Sequence, residues 1–357
     1  MQLTLEQRLL RLLAREERDE QRTHRELRAQ PVDARVLEGE CLRDAEFLEG
    51  RDGNYLFAVP DNASKLRPGD PVVVGDGIDL ERAEPLQCGD YDAQAGRLRL
   101  LRDPWQRDRN PQFVVGRRYV VDRRPLGLRG RLAEAVRAAF GAQRLRLVLA
   151  GEHVPKHDSG RTERASKALT AAGLDPGQVA AGALAIGAES LQLVQGPPGT
   201  GKTRLLAEVV RLLANAGCRI ALCAFTHRAV DNALLAIRRL DTRLPLFKLD
   251  AGSSDGKAEL RAEGVQLVDA RRVRLPERGC VVAGTCFQID KLPSDTQCHY
   301  TVFDEAGQLP IPHALPGMLR AQRWLFFGDH QQLPPVVATA GADPGAARSI
   351  FEHLHQH

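Results

Sequence analysis

The sequence predicts an α/β fold: a parallel sheet with helices on both faces, preceded by helices and a small all-β region. Three observations predict it. From Leu174 onward, short apolar runs alternate with helical patterns. The runs at 191–194, 219–224, 280–283, 300–303 and 324–327 have the apolar character of strands buried on both faces. The first run opens into Gly196-Pro197-Pro198-Gly199-Thr200-Gly201-Lys202-Thr203, which fits G-x-x-x-x-G-K-S/T, and a helical pattern follows at Leu205, Leu206, Val209, Val210, Leu212 and Leu213. Residues 32–122 instead carry short apolar runs (55–59, 72–74, 98–101, 113–115, 119–121) broken by Gly, Asp and Pro clusters, the spacing of a small barrel or sandwich.

The remaining elements follow in order. Leu3, Leu5, Leu9, Leu10, Leu12 and Leu13, then a dense run of charges, predict one helix over 3–29 that is amphipathic first and solvated later; Pro31 ends it. Helical periodicity returns over 128–149 with Leu128, Leu132, Val136, Phe140 and Leu147. Residues 150–170 are polar and read as a linker. The expected domains are a helix at 1–30, a β-barrel at 31–125, a helix and linker at 126–165, and an α/β domain at 166–357.

Composition narrows the class. The 357 residues are 43% hydrophobic and 27% charged, with no run long enough to span a bilayer and a charged N-terminus unlike a secretory signal. A soluble, cytoplasmic protein is the expectation. The seven Cys form no C-x-x-C pair and are odd in number, which argues against a disulfide framework or a zinc site. They read as small buried apolar side chains in a reducing compartment. Net charge is only +4, yet residues 97–146 hold 14 Arg and 4 acids. Contact with nucleic-acid phosphate and a GC-rich coding sequence are both open readings of that run. His353, His355 and His357 read as an exposed, frayed terminus.

The loop carries the chemistry. Glycines let backbone N–H groups turn inward around phosphate oxygens, and the following helix points its positive end at the same anion. Lys202 is placed to reach the β- and γ-phosphates, and Thr203 to bind Mg²⁺. About 100 residues downstream, the apolar run 300–303 ends in Asp304 and Glu305. At a strand tip beside a phosphate loop, Asp304 would hold Mg²⁺ and Glu305 would orient the attacking water. A further strand ends in Gly328-Asp329-His330-Gln331-Gln332, where Gln332 can donate to a γ-phosphate and so sense ATP against ADP.

In this order the motifs resemble those of superfamily 1 helicases, specifically the group typified by the nonsense-mediated-decay RNA helicase. Residues 196–203 look like that group's motif I, Asp304-Glu305-Ala306-Gly307-Gln308 like motif II in its D-E-x-x-Q form, and residues 328–333 like motif III. Leu174-Asp175-Pro176-Gly177-Gln178 resembles the Q motif, with Asp175 where Asn is usual; the resemblance implies that Gln178 hydrogen-bonds adenine and that Arg204, next to the loop, joins the nucleotide contacts. Residues 223–231 are similar to motif Ia and 281–285 to motif Ic. Thr226, His227 and Thr285 are thereby implied to touch nucleic-acid phosphate; a strand-end cap is the competing reading for each threonine.

The resemblance implies a RecA-like ATPase domain preceded by a helical stalk and a β-barrel lying over a nucleic-acid channel. It implies ATP and Mg²⁺ as cofactors, single-stranded DNA or RNA as partner, a monomer, and 5′→3′ movement. It also implies a second RecA-like domain bearing arginine fingers, towards which Ser349-Ile350-Phe351-Glu352 resembles the passage; this chain is expected to be the front half, weak in hydrolysis by itself. An ATPase switch or loader, and a non-catalytic single-strand binding module, are the alternatives.

Overall fold

The computed structural model describes residues 3–79, 82–102, 111–125, 127–197, 199–249, 258–332, 335 and 343–357. The chain divides into two compact units. One holds most of the N-terminal β region, from Glu17 to Leu128; the other holds the start of the first helix and the chain from Arg129 onward.

The smaller unit is a closed, antiparallel six-stranded barrel ordered β1-β2-β5-β4-β3-β6. Helices α1 (Leu5–Arg28) and α2 (Val32–Leu37) precede it in sequence. Its strands are β1 (Cys41–Arg51), β2 (Asn54–Ala58), β3 (Pro71–Gly75), β4 (Glu84–Asp92), β5 (Arg97–Arg102) and β6 (Arg118–Arg123). β1 and β4 escaped the alternation pattern because both are bulged: pairing slips between Leu42 and Ala45 and between Cys88 and Tyr91. Asp44 at the first slip has φ +56, so the inward–outward period of two is lost there. Residues 113–115, expected as a strand, form none. Phe113 instead packs into the barrel core, its ring 5.2–5.5 Å from those of Phe47, Tyr55, Phe57 and Tyr119. Val114 and Val115 beside it are exposed.

The larger unit is built on a seven-stranded sheet ordered β10-β9-β11-β8-β12-β13-β7, and every pair is parallel. Its leading helices are α3 (Leu128–Gly141), α4 (Gln143–Leu149), α5 (Ser159–Ala171) and α6 (Pro176–Gly187). Then come β7 (Leu191–Gln195), α7 (Lys202–Asn215), β8 (Arg219–Ala224), α8 (His227–Leu240), β9 (Leu246–Leu249), α9 (Ala258–Ala262), β10 (Gln266–Val268), β11 (Cys280–Thr285) and α10 (Cys286–Asp290). The series closes with β12 (Cys298–Phe303), α11 (Ile311–Met318), β13 (Ala321–Gly328), α12 (Pro344–Ala347) and α13 (Ile350–Gln356). Two apolar cores lie in this unit, one including Phe303, Trp324 and Phe326 and the other Leu206, Val302 and Phe327. Adjacent residues of one strand thus enter different cores, which is why these runs are apolar without alternation.

The α/β unit departs from expectation in two places and holds two strands that were not expected. The polar stretch 150–170 is largely helical: Asp158 caps α5, accepting from Arg161 N at 2.8 Å, and Ala165 and Leu169 bury one face. Those two are the only buried residues of the helix, too few to register as periodicity. β9 and β10 also escaped detection; they are four and three residues long. Of the C-terminal histidines, His353 departs from the expected exposure: it is buried in α13, its Nε2 2.8 Å from Leu149 O, whereas His355 and the terminal His357 are exposed. All seven Cys are free, and all but Cys218 are buried.

Candidate nucleotide-binding site

The parallel sheet gathers the motif loops at one edge, because every strand delivers its C-terminal end to the same side. β7 opens into the glycine loop, β13 into residues 329–332, β12 into Asp304 and Glu305, β8 into Thr226 and β11 into Thr285. In the strand order, β13 lies between β7 and β12, so three loops converge.

The loop is shaped by its glycines. Gly199 (φ +80) and Gly201 (φ +77) adopt the left-handed conformation that side chains resist. A Cβ on Gly196 would come within 2.6 Å of Thr200 Oγ1, which donates to Pro197 O at 2.7 Å. Lys202 Nζ donates to Gly196 O and, at 2.9 Å, to Pro197 O. Gly196 N donates to Gly328 O at 3.2 Å, tying the loop to β13. Pro198 lies outside the described residues.

The Q-like motif is also tied to the loop. Asp175 caps α6, accepting from Gln178 N at 2.9 Å, while Asp175 N donates to Gln178 Oε1 at 3.3 Å. A carboxylate makes this capping box as well as an amide would. Gln178 Nε2 donates to Thr200 O at 2.9 Å. Arg204, in contrast, turns away: its Nη2 donates to Ala172 O at 3.3 Å and Gly173 O at 3.2 Å.

Lys202, Thr203, Asp304, Glu305 and Gln332 share the wall of one cavity of about 480 Å³. Asp304 is 7% exposed, and burial pushes its carboxyl up to about 6, with the Glu305 charge adding to the rise and the Glu305 N–H and Lys202 opposing it. Glu305 is exposed and holds φ +52, a strained conformation for a residue with a side chain. Gln332 Nε2 donates to Asp329 Oδ2 at 3.4 Å, and Asp329 Oδ1 accepts from Gln331 N at 3.0 Å. The hard oxygens of Thr203 and Asp304 suit Mg²⁺, which takes one or two protein ligands beside phosphate and water.

Residue-by-residue reading of motifs missed the contact between them. A Cβ on Gly307 would lie 2.4 Å from Asp329 O, and one on Gly328 would lie 2.9 Å from Gly307 N. The β12 and β13 loops touch backbone to backbone there. A glycine in each motif was the available signal.

Both threonines serve as caps. Thr226 Oγ1 accepts from Ala229 N at 3.2 Å at the start of α8, and Thr285 N donates to Gln288 Oε1 at 2.9 Å before α10. His227 opens α8, and its carbonyl accepts from Lys248 Nζ at 3.4 Å. Lys248, 1% exposed, also pairs with Asp231 of α8. Phe225, next to Thr226, is 44% exposed and lies edge-on to His313, which in turn meets Phe287 of α10. The arginine run does not form one free stripe: Arg118, Arg123, Arg129 and Arg131 pair with Glu46, Glu40 and Asp70, Glu16 and Asp290.

Loop, acid pair and parallel sheet define a P-loop NTPase domain. Residues 173–344 match the family model described as AAA domain. A stretch of the chain is similar to the DNA replication ATP-dependent helicase/nuclease DNA2 of Saccharomyces cerevisiae, at 32% identity over 173 residues, covering 46% of this chain and 11% of that protein. Its Gallus gallus counterpart is 33% identical over 172 residues, covering 46% and 17%. The aligned stretch is thus under a fifth of these relatives' length. Among solved structures, Arterivirus nonstructural protein 10 (helicase) in complex with DNA aligns over 91% of this chain and 53% of that one, at 14% identity and a TM-score of 0.33, too low to bear on the fold.

Proposed function

We propose that this chain carries the ATP-binding motor domain of a nucleic-acid helicase or translocase, of superfamily 1 type, acting on single-stranded DNA. The observation that carries the reading is the shared cavity: a phosphate loop, a buried carboxylate and a donor from the third loop face one space. DNA is preferred to RNA because the relatives are named as DNA-replication enzymes.

In this mechanism, Lys202 and the loop N–H groups hold the β- and γ-phosphates. Thr203 and Asp304 would hold Mg²⁺, which neutralises charge on the phosphates during transfer. Glu305 orients the attacking water, and Gln332 donates to the γ-phosphate. Gln178 reads adenine, exchanging its bond to Thr200 O for the base. The hydroxyl of Thr226, which only accepts in its cap, keeps its O–H to donate to phosphate, that of Thr285 would exchange its 3.5 Å bond to Gln288 Oε1 for one, and the exposed ring of Phe225 suits stacking on a base. Among the described wall residues there is no arginine. Arginine fingers are worth roughly 10³–10⁵ in rate in related systems; in this reading a second RecA-like domain would supply them.

Three measurements test this. Lys202→Ala should abolish binding of a fluorescent ATP analogue. Glu305→Gln should keep that binding and lower single-stranded-DNA-stimulated hydrolysis by roughly 10²–10⁴-fold. Phe225→Ala should weaken single-strand binding without changing nucleotide affinity. Hydrolysis surviving in Lys202→Ala would overturn the reading.

A further inference from the structure

The opposite end of the sheet holds a second depression, of about 730 Å³. Ser190, immediately before β7, and Arg323, near the start of β13, lie in its wall. The phosphate loop leaves the other end of β7, so a strand's length, roughly 15 Å, separates the two sites. We propose that this depression is a second anion site, which takes a polyphosphate through its phosphate groups.

Its wall brings together Arg144, Lys156, Arg161 and Arg323, with Asp158 and Glu189 as the only acids among its described residues. Arg161 is already committed, to Asp158 at 3.4 Å and to Gly187 O at 3.2 Å. Among the described residues, no carboxylate pairs with the other three cations. The Arg144 guanidinium lies 5.5 Å from the Trp324 ring centre and that of Arg323 lies 5.3 Å from Tyr300. Each guanidinium thus rests over a ring face, Arg323 also hydrogen-bonding the Tyr300 side chain, and the remaining N–H groups suit a phosphate. Arg144 spends one N–H on Glu189 O at 3.1 Å. Arg323 Nε is buried with no hydrogen-bond partner among the described residues.

Neutral donors complete the wall. His153 Nε2 and Ser190 Oγ are 2.6 Å apart. Burial, with Arg144 and Lys156 nearby, lowers the His153 pKa, so the ring stays neutral at physiological pH and adds hydrogen bonds without charge. Trp324 and Tyr300 are each 1% exposed and offer no face to a base, the one ring in the wall is His153, which is tied to Ser190, and the one apolar wall residue described is Val154. Phosphate, not base, is therefore what the site can recognise. Inorganic polyphosphate and the tail of a nucleotide share that chemistry.

The test does not depend on the nucleotide site. Inorganic pyrophosphate is titrated calorimetrically into the full chain carrying Lys202→Ala, which disables the loop. One equivalent should bind, and raising salt should weaken it. Arg144→Gln with Arg323→Gln should cost about tenfold or more in affinity, and Lys156→Gln, at an exposed position, about threefold. Arg323→Lys keeps the charge but loses the fork, and should fall between. ADP competing at an affinity close to that of pyrophosphate identifies the nucleotide tail as a source; ADP failing to compete identifies inorganic polyphosphate. No pyrophosphate binding by the Lys202→Ala chain, or binding unchanged by Lys156→Gln together with Arg323→Lys, would overturn the proposal.

Discussion

Asp304 serves two ends that conflict. Its carboxylate must be ionised to hold a cation, yet burial lifts its pKa to about 6, above the usual range. Between the unfolded value near 3.9 and 6, the folded chain binds the extra proton, so stability falls as pH rises through that window. Asp304→Asn should therefore raise folding stability by about 2–3 kcal/mol at pH 7.5, with the gain vanishing near pH 4, while abolishing Mg²⁺-dependent hydrolysis. Chemical denaturation at the two pH values, beside an ATPase assay, checks both halves. Gly307 poses a steric demand instead. With Asp329 O 2.4 Å from where its Cβ would lie, Gly307→Ala must part the two loops. An expected loss of about 1–3 kcal/mol should appear in urea unfolding, together with weaker nucleotide binding. A variant with wild-type stability and affinity would show that the contact is dispensable.

At the scale of elements, the sites that sequence displayed best are those where one residue type is forced by chemistry. Lys202 in its loop and Asp304 at its strand tip are what phosphate and metal would demand under the proposed roles, and they follow β7 and β12, whose apolar runs are legible in the sequence. β1 and β4 were hidden by bulges, and α5 by its two-residue apolar face. The tie between Gln178 and Thr200 O, and that between Gly307 and Asp329 O, join residues far apart in sequence, so no local pattern encodes them. The role of Asp231 was similarly hidden: it reads as part of a motif, but it also neutralises Lys248, 1% exposed on β9. Asp231→Ala leaves that ammonium without its carboxylate at the foot of α8. A loss of about 3 kcal/mol is expected, measurable as a lower urea midpoint, and Asp231→Ala with Lys248→Met should recover most of it.

Across the α/β unit, acid should be destabilising. Burial pushes His313 and His353 down to about 4, Arg129 adding to the effect on the first and His357, Arg348 and Arg8 on the second. An unfolded imidazole titrates near 6.5, so the stability each neutral ring contributes is present above 6.5 and lost as pH falls towards 4. Asp304 acts in the opposite sense over part of that window, but two groups oppose one. The melting temperature should drop between pH 7 and 5, and His353→Gln should flatten that drop; a flat profile in the parent chain would contradict it. Strand order has a wider consequence. β13 pairs with β7 on one side and β12 on the other, and it ends in Gly328, which abuts Gly307. It is the common datum from which the glycine loop, the Asp304–Glu305 pair and Gln332 are all measured. A change of side-chain volume at Leu325 or Phe326 would therefore displace all three together, and under the proposed roles selection could not adjust triphosphate affinity and metal affinity independently through the interior of that strand.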